Sequence, residues 1–262
     1  MMQIQRLRVV PRGTNFVGAE LKCYIQEGER QRPAVVICPG GAYRFLSPRE
    51  DDAVALQFAA AGFHVFVLYY TVQPDDYRRP LLELAEAVSM VRERAKEWNL
   101  IEDKIAVCGF SAGGHLAASL GVHWHKLDGS SQSQPNALIL AYPVITSGEF
   151  AHEGSMLNLL GPDPSEEILF EMSLEKQVST RTPPTFLWHT VTDPVVPVEN
   201  SLMFANALQA NGCPFELHIY PNGPHGLSLA ITETDDSRGT DSHVATWMGL
   251  CIEWIKELFQ FS

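Results

Sequence analysis

Apolar and polar positions along this chain form short runs that switch between a strand-like and a helix-like period. Ala34-Val35-Val36-Ile37-Cys38 is apolar throughout and ends at Pro39-Gly40-Gly41, as a buried parallel strand does. Asp51 to Ala61 carries Val54, Phe58 and Ala61 at helical spacing and stops at Gly62. Phe63 to Tyr70 predicts the next strand. Leu81 to Trp98 is the longest predicted helix, with Leu81, Leu84, Val88, Val91, Ala95 and Trp98 along its apolar side. Lys104 to Cys108 predicts a strand and Gly114 to Leu120 a helix. Ala137 to Tyr142 is a strand stopped by Pro143, and Pro184 to His189 and Phe215 to Tyr220 are the last two strands. A helix over Val198 to Gln209 separates those two, and an amphipathic helix over Trp247 to Phe259 closes the chain. Ahead of this series, Arg6 to Val10 and Leu21 to Gln26 predict two short strands around a turn at Arg12-Gly13-Thr14-Asn15. Strands alternating with helices predict an α/β fold, a mostly parallel central sheet with helices on both faces.

Two stretches break the alternation. Residues 145–181 form a connection too long to be idle in a compact domain, and predict a short helical cap insertion over the carboxyl edge of the sheet. Thr232 to His243 is polar and predicts a mobile surface loop. No internal repeat or domain boundary interrupts the chain, so residues 1–262 read as a single domain.

Composition narrows the partners. Lys plus Arg minus Asp plus Glu is 19 − 31 = −12, with 45% hydrophobic residues and no basic run, which disfavours nucleic acid. No apolar stretch reaches the ~20 residues of a membrane span, and Met1-Met2-Gln3-Ile4-Gln5-Arg6 has no apolar signal-peptide core. Cys23, Cys38, Cys108, Cys213 and Cys251 are odd in number, scattered and beside apolar runs. They read as buried free thiols of a cytoplasmic protein, neither a disulfide framework nor a metal site. A small-molecule substrate is expected, without cofactor or metal; a homo-oligomer is left open.

The chemistry gathers at Gly109-Phe110-Ser111-Ala112-Gly113, a G-x-S-x-G run between a predicted strand and a predicted helix. A serine on such a turn projects its hydroxyl above the sheet beside a helix N-terminus with free N–H groups. Taken alone, the run is equally a glycine-rich connection with a buried serine. A serine hydroxyl needs a base. His225, on the turn-rich segment Asn222-Gly223-Pro224-His225-Gly226 after the last strand, is the candidate. Asp193, in Thr192-Asp193-Pro194 after the preceding strand, is the candidate orienting carboxylate, with Glu199 and Glu216 as alternatives. His64, His115 and His189 read as structural. Loops after parallel strands converge at the carboxyl edge of the sheet, where ligands bind. Pro39-Gly40-Gly41-Ala42-Tyr43 occupies the loop that supplies oxyanion-binding N–H groups, unless it is a plain Pro-Gly-Gly turn; Ala112 supplies another such donor.

On these motifs the chain resembles the α/β-hydrolase superfamily, in its esterase group with an H-G-G-G-type loop, over essentially its whole length. The resemblance implies a Ser111, Asp193, His225 triad and an oxyanion hole from Gly41, Ala42 and Ala112, with Gly40 shaping the turn. The chain departs from the usual motif at Pro39, where histidine is common, and at Ala42, where a third glycine is; alanine keeps its N–H. Pro-Gly-Gly-Ala-Tyr, Gly-Phe-Ser-Ala-Gly-Gly-His-Leu-Ala-Ala-Ser and the segment Trp188 to Val198 resemble small bacterial acetyl-esterases related to acetylxylan esterases. That implies a serine carboxylesterase for short acyl esters, acetyl above all, on sugars or xylo-oligosaccharides. A serine peptidase and a non-catalytic binding protein of the same fold are the alternatives. Pocket walls are expected from Leu46, Tyr70, Phe150, Met156, Leu157, Leu159 and Leu160, each of which could equally be core.

Overall fold

The computed structural model describes residues 1–127 and 130–262. The chain runs β1 (Met2–Val9), β2 (Ala19–Gln26), β3 (Arg32–Cys38), α1 (Asp52–Ala60), β4 (His64–Tyr69), α2 (Arg79–Glu93), α3 (Ala95–Trp98) and β5 (Leu100–Phe110). It continues with α4 (Ala112–His123), α5 (Ser130–Ser133), β6 (Ala137–Ala141), α6 (Glu153–Leu160) and α7 (Glu166–Met172). The last elements are β7 (Thr185–Thr190), α8 (Glu199–Ala210), β8 (Phe215–Tyr220) and α9 (Thr246–Leu258).

All eight strands form one sheet in the order β1-β2-β4-β3-β5-β6-β7-β8. β1 and β2 pair antiparallel, and β2 runs antiparallel to β4; every pair from β4 to β8 is parallel. The prediction of an α/β fold with a mostly parallel sheet therefore holds.

The central strands read as unbroken apolar runs because both faces are covered. Successive residues go to opposite layers: Ala34, Val36 and Cys38 join a core with α2, α4 and α8, while Val35 and Ile37 join one with α1 and α9. Likewise Ile105 and Val107 face the first layer, and Ala106, Cys108 and Phe110 the second. Trp188 and Trp247 stack in the second core with centroids 5.2 Å apart. Among the described residues no helix is long and apolar enough to cross a membrane.

Some predicted boundaries shift. The helix expected over Leu81 to Trp98 breaks after Glu93, and Asn99 turns the chain in a left-handed conformation (φ 51°). β5 starts four residues early, because Leu100 pairs with Arg32 and Ile105 with Ala34. The intervening bulge exposes Glu102 and Asp103, whose polarity hid the strand. Residues 145–181 carry α6, α7 and a 3-10 turn at Leu174–Lys176. The polar segment expected to be a mobile loop is anchored: Thr234 is buried, its carbonyl accepts from Arg49 Nε at 2.9 Å, and Asp235 Oδ1 accepts from Ser237 and Gly239 N–H at 2.9 Å.

Glycine at 113 lets α4 approach the end of β3, since a Cβ there would collide with the carbonyl oxygens of Cys38 and Pro39. Gly249, by contrast, is exposed on α9 with nothing near its missing Cβ. The same substitution should thus act with opposite signs. Gly249→Ala should stabilise by about 0.5–1 kcal/mol through helix propensity. Gly113→Ala should destabilise by at least about 1–3 kcal/mol through overpacking. Urea unfolding midpoints of the two variants against the parent check both signs.

Candidate active site

β3, β5, β6, β7 and β8 are successive parallel neighbours, so the segments leaving their carboxyl ends lie side by side. Ser111 follows β5 and is the N-cap of α4, with φ 53° and ψ −118°. This strained conformation is held on both sides: its N–H donates to Ala141 O and its carbonyl accepts from Val144 N, each at 3.0 Å.

The structure brings all three predicted residues together. Ser111 Oγ lies 2.8 Å from His225 Nε2, and His225 Nδ1 lies 2.7 Å from Asp193 Oδ2. Asp193 Oδ1 accepts from the N–H groups of Val195 and Val196 at 2.9 and 3.0 Å. Burial alone would raise the Asp193 pKa. Hydrogen bonds from His189 and His225, the nearby imidazole charge and the Val195 N–H overcome it and hold the carboxyl well below its usual range. The alternatives Glu199 and Glu216 take no part: Glu216 pairs with His218 at 2.7 Å, and Glu199 opens α8.

His189, read from the sequence as structural, touches this group. Its Nε2 stands 3.0 Å from Val196 O and 3.3 Å from Asp193 Oδ2, so that nitrogen carries the proton. Nδ1 then accepts from Ser201 Oγ at 2.8 Å. His189 thus meets the same carboxylate oxygen as His225.

The loop after β3 is held at each residue. Gly41, Ala42 and Tyr43 all have positive φ (129°, 55° and 55°). Tyr70 donates to Pro39 O at 2.6 Å, and Gly40 N–H donates to Glu50 Oε2 at 2.6 Å. Asn158 of α6 donates to Ala42 O at 2.9 Å. Tyr43 O–H donates to His115 Nδ1 at 3.0 Å, while His115 Nε2–H donates to Met172 O at 3.1 Å. Burial pushes the His115 pKa down to about 4, which keeps it neutral in that bridge. The N–H groups of Gly41 and Ala42 donate to no protein acceptor among the described residues, and Ala112 N–H opens α4, where helical partners are lacking.

Glu50 and Tyr142 were not visible as site residues in the sequence. Glu50 is 3% exposed, and burial raises its pKa against the hydrogen bonds from Tyr142 and Gly40. Tyr142 O–H donates to Glu50 Oε1 at 2.7 Å and accepts from Ser228 N–H at 2.9 Å. Its ring meets the His225 ring edge to face at 5.1 Å. One buried carboxylate thereby ties the loop after β3 to the segment that carries His225.

Ser111 and His225 open into a pocket walled by Gly41, Ala42, Phe45, Ser47, His152 and Val195, with Arg49, Asp236 and Arg238 at its rim. None of the seven residues expected as walls lines it. Tyr70 is core, Met156 packs against Val144 and Val196, Leu159 faces a separate small cavity with Tyr43, and Leu157 is exposed. Burial pushes the His152 pKa down, and the charge of His225 adds to that.

Comparison with known proteins agrees with this architecture. The BD-FAE family model matches residues 21–208. Endo-1,4-beta-xylanase B of Butyrivibrio fibrisolvens is 38% identical over 223 residues, 81% of this chain and 35% of that protein. The acetylxylan esterase of Xylanibacter ruminicola is 31% identical over 217 residues, 80% of this chain and 44% of that protein. The chain thus spans less than half the length of these relatives. The crystal structure of an acetyl ester-xyloside bifunctional hydrolase from Caldicellulosiruptor lactoaceticus superposes with a TM-score of 0.88 at 38% identity, covering 98% of this chain and 97% of that one. The chain belongs to the BD-FAE family and has the α/β-hydrolase fold of acetyl-esterase-like proteins.

Proposed function

We propose that Ser111, His225 and Asp193 are a catalytic triad that removes short acyl groups, acetyl first, from sugar or xylo-oligosaccharide esters. The observation that carries this is the continuous hydrogen-bonded chain Ser111 Oγ to His225 to Asp193 at 2.8 and 2.7 Å. His225 Nε2 takes the hydroxyl proton as Ser111 Oγ attacks the ester carbonyl. Asp193 accepts from Nδ1–H, fixes the tautomer and stabilises the imidazolium. The N–H groups of Gly41, Ala42 and Ala112 receive the developing oxyanion, each worth roughly 2.7–4 kcal/mol of transition-state stabilisation. Collapse expels the alcohol, protonated by His225, and leaves an acyl-enzyme. Water activated by the same imidazole then releases the acid. Residues 145–181 serve as a short cap within a single domain, consistent with the bond from Asn158 to Ala42 O. Acetylated xylan as substrate class draws support from the names of the Xylanibacter and Caldicellulosiruptor proteins.

Ser111→Ala should lower kcat for p-nitrophenyl acetate by on the order of 10⁶-fold with an unchanged melting curve, and should abolish labelling by a serine-reactive phosphonate. Activity within tenfold of the parent would remove Ser111 from the mechanism.

Asp193→Asn should cut kcat by roughly 10⁴-fold, as loss of the right imidazole tautomer does elsewhere. His225→Ala should cost more. A silent Asp193→Asn would shift the orienting role to another carboxylate.

Across p-nitrophenyl acetate, butyrate, octanoate and palmitate, kcat/KM should fall with acyl length. A pocket open to longer chains would instead gain about 0.8 kcal/mol per buried methylene. A maximum at octanoate or beyond would contradict the acetyl preference. Acetate release from acetylated xylo-oligosaccharides tests the sugar; esterase activity without it retains the chemistry and removes that substrate.

A further inference from the structure

Two guanidinium groups stand at the rim of the pocket that holds Ser111 and His225, and one carboxylate is shared between them. Arg49 belongs to the 3-10 turn Pro48–Glu50, and Arg238 to the segment anchored by Asp235. Arg49 Nε lies 3.3 Å from Asp236 Oδ1 and donates to Thr234 O at 2.9 Å. Arg238 bonds to Asp236 Oδ2 and is otherwise open, its side chain 42% exposed. Each guanidinium offers five donors, so donors outnumber acceptors here. Arg49 Nη2 is buried with no hydrogen-bond partner among the described residues. A buried polar group left without a partner is costly and calls for an explanation.

The surrounding groups do not supply the missing acceptor. Both oxygens of Glu50 are occupied by Gly40 N–H and Tyr142 O–H, and burial favours its neutral form. Asp235 is occupied by backbone N–H groups. His152 is kept neutral by burial and adds no charge. His225, Gly226 and both arginines line one pocket. A carbon at the Cβ position of Gly226 would sit 3.7 Å from Arg238 Nε and 3.8 Å from Arg49 Nη1, in ordinary contact with both.

We propose that this gap is a carboxylate-recognition subsite, which selects esters whose alcohol part carries an acidic group. The inference rests on the triad reading: His225 returns a proton to the departing alkoxide, so the alcohol leaves on the side where Gly226 and both arginines lie. A planar guanidinium matches a carboxylate with two parallel hydrogen bonds. A neutral polyol would use donors and acceptors evenly, and the surplus here is of donors. The chain as a whole carries −12, so long-range attraction does not bring the anion in; the recognition is local.

The test compares 3- and 4-acetoxybenzoate with 3- and 4-acetoxybenzamide in kcat/KM at low salt, for the parent, Arg238→Gln and Arg238→Lys. At least one acid should exceed its amide by roughly tenfold in the parent, chiefly through KM. Arg238→Gln should erase that preference and Arg238→Lys keep part of it. Sodium chloride at about 0.5 M should shrink it in the parent. A parent ratio of one or below, or a ratio that Arg238→Gln leaves unchanged, overturns the subsite. Hydrolysis of the amides without preference for the acids contradicts the subsite alone; hydrolysis of neither contradicts the esterase reading as well.

Discussion

Parallel pairing of β3 with β5 is the constraint on which the site depends. It sets Cys38 opposite Gly109, so the turn after β3 and the turn before α4 leave the sheet edge together. Because side chains alternate between layers, a one-residue slip would turn both strands inside out. The glycines tolerate the crowding this creates. A Cβ on Gly109 would collide with the Gly113 carbonyl, and one on Gly113 with the carbonyls ending β3. The G-x-S-x-G spacing is thus a packing requirement before it is a chemical one.

Around that pairing, the site is built from buried polar groups that answer one another. Glu50 links Gly40 to Tyr142, Tyr142 links Glu50 to Ser228, and Ser228 Oγ donates to Arg49 O at 2.6 Å. Three loops distant in sequence share this network. Fully satisfied, such a network favours one arrangement over its neighbours; with one member missing, it leaves an orphaned buried group. The strained backbone at Ser111, Ala42 and Tyr43 is held by bonds of its own, with Ala141 and Val144, with Asn158, and with Gln73 and His115.

Local sequence made most of the fold legible. The runs that became β3, β4, β6 and β7 are apolar on both faces and bounded by turn residues, and Ser111, Asp193 and His225 each follow a strand. What stayed hidden depends on contacts across long separations. Glu50 looks like an ordinary surface glutamate until Tyr142, 92 positions away, is seen to cover it. The polar composition of residues 232–243 suggested a free loop, yet Arg49, 185 positions from Thr234, pins it beside the pocket. Pocket walls were misplaced for the same reason: apolarity marks burial, and most of the leucines and methionines nominated serve the core instead.

The hydrogen bonds to both oxygens of Asp193 have a consequence for how the fold meets acid. Its depressed pKa means that the stability it contributes is present above the ordinary carboxylate value and is lost only as pH falls through that lower value. Glu50 and Asp51 have raised values, so the stability linked to their neutral forms is fully present in acid and lost as pH rises. None of these carboxyls therefore pulls the fold apart when acidification is mild. Mild acid should leave the fold in place, and neutralisation should need no refolding step.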